Sequence, residues 1–194
     1  MNQQAAPPAN DSAGGKALYI LTPIVAIGIL LHLLRIFTRI IPTCRLNLSD
    51  YTSMIAVLAA IITYILFATA VSHGLGRHSV YITPENTVRI LQYLYGVFIA
   101  GLLTSIFSRI SVACLLLELT SSKTWKAVLW ITIAFQLASL LSILPLEVFQ
   151  CRPIRKFWEP VAGGKCISPA VMWTLGYVSN TYLATCCRPF CPCS

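Results

Sequence analysis

Between Tyr51 and Val71 the chain carries no charged side chain, and none appears again from Ile90 to Ser108. Each run is long enough to cross the hydrocarbon core as a helix, which takes about 20 apolar residues. A segment inside lipid has no water to bond its backbone, and a helix satisfies those groups internally. Three more stretches read the same way. Ala17 to Ile41 ends with Arg35 and Arg39, whose long side chains can reach back to the interface. Ala127 to Phe149 has Trp125 and Trp130 at its start as headgroup anchors. Pro169 to about Thr185 is the shortest. The chain is thus predicted to be an all-α polytopic transmembrane helix bundle of about five spans, at 17–41, 51–71, 90–117, 127–149 and 169–185.

Composition supports that class. Hydrophobic residues make up 57% of the chain and charged residues only 10%, against about 25% charged in soluble domains. A net charge of +8 raises the question of nucleic acid. A nucleic-acid binder gathers its cations on one face or groove, whereas here they stand singly or in small groups at the ends of apolar runs. That is how membrane flanks are charged, so the lipid bilayer is the expected partner and nucleic acid is excluded. Residues 1–16 are rich in Pro, Ala and Gly, lack the basic start of a signal peptide, and read as a disordered tail. The loops are too short for a separate soluble domain, and 186–194 form a Cys-rich tail.

Orientation should follow the excess of Lys and Arg on the cytoplasmic side. Lys16, Arg77, Arg89, Arg152, Arg155, Lys156 and Lys165 fall on one side of a five-span chain. Arg35, Arg39, Arg45, Arg109, Lys123, Lys126 and Arg188 fall on the other. The split is even and decides nothing. Cys151 and Cys166 bracket the fourth loop, and a disulfide there needs an oxidising compartment. That places the N-terminus outside, in agreement with the glycosylation pattern Asn10-Asp11-Ser12. Asn47-Leu48-Ser49 repeats the pattern on the opposite side, so the motif alone does not settle the matter.

Several residues invite a sharper reading. His32, Arg35 and Arg39 share a helical face by their spacing, and Asp50 opens the next helix within reach of Arg39 or Arg45. They are candidates for a polar clamp between the first two spans. The simpler reading, two snorkelling arginines and an N-cap aspartate, is preferred. His73 and His78 flank two glycines, and a sharp turn explains them better than a metal site lacking further ligands. Arg109 stands either at the edge of the bilayer or, at membrane depth, facing the bundle as a functional charge. Phe149 to Cys166 reads either as a basic interfacial loop or as a disulfide-closed lid over the mouth of the bundle. Cys186 and Cys187, with Cys191 and Cys193, suit palmitoylation if the tail is cytoplasmic. A shifted reading frame or splice choice would produce such an end equally well. No GxSxG, HExxH or phosphate loop is present and no two carboxylates lie close in sequence, so no catalysis is expected.

The stretches LLRIFTRI with Ser49-Asp50-Tyr51, HGLGRH, SRISVACLLLEL and, most specifically, FQCRPIRKFWEPVAGGKC resemble the fungal rhodopsin-like integral membrane family in order and spacing. The resemblance covers roughly residues 17 to 180. It implies a seven-helix, receptor-like protein with its N-terminus outside, an unknown ligand and a cytosolic signalling protein as partner. It also implies, as the alternative, a transport or accessory role beside secondary-metabolite biosynthesis. Family members continue through two further helices, whereas this chain turns cysteine-rich after Asn180-Thr181-Tyr182. A fragment without a function of its own is therefore a third expectation. Retinal is disfavoured and no cofactor is expected, because the Schiff base needs a lysine within a helix and none lies inside the five spans.

Overall fold

The computed structural model describes residues 13–43, 47–77, 82–159, 165–168 and 174. Among the described residues four long helices run antiparallel to their chain neighbours: α1 (Ala13–Thr43), α2 (Leu48–Ser72), α3 (Pro84–Leu119) and α4 (Lys123–Val148). Each is long and apolar enough to cross a membrane. The fifth expected span, 169–185, lies outside the described residues except for Thr174, which is helical.

The helices extend past the apolar runs that announce them, because a helix continues into the headgroups after the hydrocarbon ends. α1 begins at Ala13, inside the stretch read as tail. α3 begins at Pro84, where Thr83 caps, proline suits the first helical position and Glu85 meets the positive end of the dipole. α4 begins at Lys123 behind Ser122, whose hydroxyl accepts from Trp125 N–H at 3.5 Å. Lys16, Lys123 and Lys126 consequently lie within helices, all near their N-terminal ends.

Packing differs from helix to helix. α2 buries small residues, Ala56, Ala59 and Ala70, which let backbones approach closely in lipid where no hydrophobic force drives helices together. α3 and α4 share a core of Ile106, Ile110, Ala113 and Cys114 with Leu129 and Ile133. α1 turns its apolar side chains outward; Ile24, Leu30, Leu33 and Phe37 are all well exposed, the exposure expected of a lipid-facing helix. Its first turn is held by Ala13 N–H donating to the Gly76 carbonyl at 3.2 Å. Gly76 has φ +88, and a Cβ there would run into the Gly14 backbone. The turn after α2 therefore needs glycine for both its conformation and its clearance.

After α4 the chain forms a two-residue strand β1 (Cys151–Arg152), a 3-10 turn (Ile154–Phe157) and a two-residue strand β2 (Lys165–Cys166). β1 and β2 pair antiparallel, Cys151 opposite Cys166 and Arg152 opposite Lys165.

Candidate functional site

Antiparallel connectivity puts the end of α1, the start of α2, the end of α3 and the start of α4 at one end of the bundle. A polar network occupies that end. It starts in the first turn of α2, where Asn47 is the N-cap and Asp50 stands at the third helical position. Asp50 is thus not the cap, as its place in the sequence suggested. It supplies the reciprocal half of a capping box, accepting from Asn47 N–H at 3.1 Å. The positive end of the α2 dipole favours a carboxylate there.

Asp50 is only 1% exposed, and a buried carboxylate needs charged or hydrogen-bonding partners. α1 provides them. Arg35 donates to Ser49 Oγ and to Asp50 Oδ1 at 3.3 Å. Arg39, one turn later, lies 3.9 Å from Asp50 Oδ2 through one nitrogen and donates to Glu118 Oε2 on α3 at 2.8 Å through the other. Ser111 on α3 donates to the Ser49 carbonyl at 3.1 Å. One turn deeper, His32 Nδ1 and Ser53 Oγ are 2.8 Å apart. The candidate clamp of Arg35, Arg39 and Asp50 is therefore a contact in the structure, and Glu118 brings a third helix into it. Arg45 lies outside the described residues.

Glu118 was missed because its partner is far away in sequence. Nothing in a linear reading says that α3 ends level with Arg39. The signal available was only an acidic residue at the end of an apolar run. Arg109 sits half-buried on α3 between buried Ile106 and Ile110. It stands about 3 Å of helical rise from Ser111, which reaches the first turn of α2. Arg109 thus belongs to the level of this network and not to the middle of the spans.

At the opposite end the fourth loop is closed by the disulfide Cys151–Cys166. Tyr95 of α3 packs against Phe157 and Trp158, with ring centroids 5.5 and 6.0 Å apart, and its hydroxyl donates to the Val148 carbonyl at 2.9 Å. The loop's aromatics therefore pack against α3 at this end of the bundle. His73 stacks on Tyr93 at 5.4 Å, and Gly74 and Gly76 adopt positive φ in the turn that follows. Among the described residues no three His, Cys, Asp or Glu side chains converge as a metal site would require. Asn10, His78, Cys186 and Cys187 lie outside the described residues.

Two buried polar groups had no sequence signal beyond their type. Gln136 on α4 is 1% exposed and its amide has no hydrogen-bond partner; Glu147 Oε2 is likewise buried and unpartnered. Nothing among the described residues explains either.

No curated protein and no solved structure matches the chain. Residues 34–185 match the fungal rhodopsin domain, a span that runs from the clamp arginines through the disulfide-closed loop. With most of its length inside that match and four helices able to cross a membrane, this multi-pass membrane protein belongs to the fungal rhodopsin domain family.

Proposed function

We propose that the protein senses a ligand and passes the change through its helices to a cytosolic signalling partner, without catalysing a reaction. The observation that carries this reading is the position of Arg39 between two carboxylates on two different helices. Asp50 is buried and tied to its own helix start, so its contacts with Arg35 and Arg39 fasten this end of α1 to α2. Glu118 is an outer partner, with Arg39 and Glu118 side chains 28% and 30% exposed. A pair exposed to that degree contributes about 0–1 kcal/mol, so the Arg39–Glu118 contact can open at little cost while Ser111 keeps α3 bonded to α2. A ligand shifts such an equilibrium when it binds one arrangement better than the other.

A disulfide favours the oxidising side of a membrane, which supports a loop outside and a charged network facing the cytosol. The test is ligand-dependent coupling to a cytosolic reporter in cells expressing the full chain, over a panel of small molecules. Coupling that Glu118→Gln alters at unchanged surface expression is the expected result. Silence across the panel, with substrate flux in proteoliposomes, would replace this reading by transport.

A further inference from the structure

The loop end of the bundle holds a cavity of about 440 Å³, within the roughly 300–1,000 Å³ typical of small-molecule sites. Its walls divide into two chemistries. Pro145 and Leu146 of α4, Phe149 just after it and Ile167 after β2 form an apolar side; Arg152 and Lys165 form a cationic side. Leu146 and Phe149 are 38% and 56% exposed, so the apolar side is open at the surface of the bundle.

The cationic side is unusual in its register. Arg152 and Lys165 are direct cross-strand partners in the β1–β2 ladder, and like charges placed so are destabilising. Neither forms a salt bridge among the described residues. The adjacent pair is Cys151 and Cys166, joined covalently, so the ladder holds despite the repulsion. An anion placed between the two cations would convert that repulsion into two charge-assisted contacts.

We propose that this cavity binds an amphiphile with one anionic head, carboxylate or phosphate, between Arg152 and Lys165, and an apolar body against Leu146, Phe149 and Ile167. The same chemistry is offered by a free fatty acid and by an anionic phospholipid of the bilayer. The site does not depend on the signalling reading, because binding is measured without any downstream response.

The experiment uses the full chain in nanodiscs of neutral phosphatidylcholine, with dodecanoate, dodecanol and inorganic phosphate as probes in equilibrium binding. Dodecanoate is expected to bind about ten-fold or more tightly than dodecanol, the size of one charge-assisted contact, and phosphate alone to bind far more weakly than dodecanoate. Arg152→Gln with Lys165→Gln should remove the preference for dodecanoate, while Lys165→Arg keeps it. Leu146→Trp, which leaves both charges in place, should weaken dodecanoate by filling the apolar side, and it serves as the second variant if the double substitution impairs folding. Competition by phosphatidylglycerol in the nanodisc supports the site and assigns its occupant to the bilayer. Dodecanoate binding that resists phosphatidylglycerol supports the site and assigns it to a free amphiphile. Equal binding of dodecanoate and dodecanol, or a preference that survives loss of both cations, overturns the proposal.

Discussion

Asp50→Ala is the substitution that most directly tests the three-helix network. It removes three things at once. The Asn47 N–H loses its acceptor, and a lost cap contact costs about 1 kcal/mol. Arg35 loses a hydrogen bond to a charged group, worth about 1.5–3 kcal/mol. Arg39 loses a longer contact at 3.9 Å, worth about 0–1 kcal/mol when part-exposed. The total is about 2.5–5 kcal/mol, which brackets the 3–5 kcal/mol seen when one partner of a buried ion pair is removed. Asp50→Asn keeps an oxygen for the Asn47 N–H and loses only the charge, so it should fall between Asp50→Ala and wild type. Glu118→Gln breaks the outer pair alone and should cost about 1 kcal/mol or less. Reversible unfolding in detergent micelles measures all three. An Asp50→Ala cost within about 1 kcal/mol of that of Glu118→Gln would refute the view that the buried carboxylate anchors the network and Glu118 only adds to it.

Replacing Cys151 and Cys166 by serine opens a loop with a sequence separation of 15 and should cost about 3 kcal/mol. Alkylation and mass measurement before and after reduction report the bridge in the wild type, and detergent unfolding reports the cost. Gly76→Ala puts a side chain at φ +88 against the Gly14 backbone. It should cost at least about 1–2 kcal/mol from the left-handed conformation alone, and a variant as stable as wild type would contradict the α1–turn contact. Glycosylation mapping in membranes should find a glycan at Asn10 and none at Asn47, where Ser49 of the acceptor pattern is fully buried. Modification of Asn47 would invert the orientation.

What could be read from the residues, and what could not, follows from the range of the physics involved. Crossing a bilayer depends on a local run of apolar side chains, so the first four helices announce themselves. Their ends depend on caps, and Thr83-Pro84-Glu85 and Asn47 with Asp50 lay in view but outside the apolar windows. Arg35, Arg39 and Asp50 were legible as a group because few residues separate α1 from α2 in the sequence. Glu118 and Ser111 were not, since their partners Arg39 and Ser49 lie in other helices and meet them only once α3 has packed in register. The repulsive pair of Arg152 and Lys165 depends likewise on a strand register that basic residues scattered along a loop do not reveal.

At 36 residues α3 rises about 54 Å, well beyond the roughly 30 Å of hydrocarbon. Tyr95, which touches the loop aromatics, and Glu118, which holds Arg39, sit on this one unbroken rod about 35 Å apart. The loop contact at Tyr95 and the charge at Glu118 are thus linked through the backbone of a single helix. The two ends of the bundle are therefore joined by one continuous helix longer than the hydrocarbon is thick.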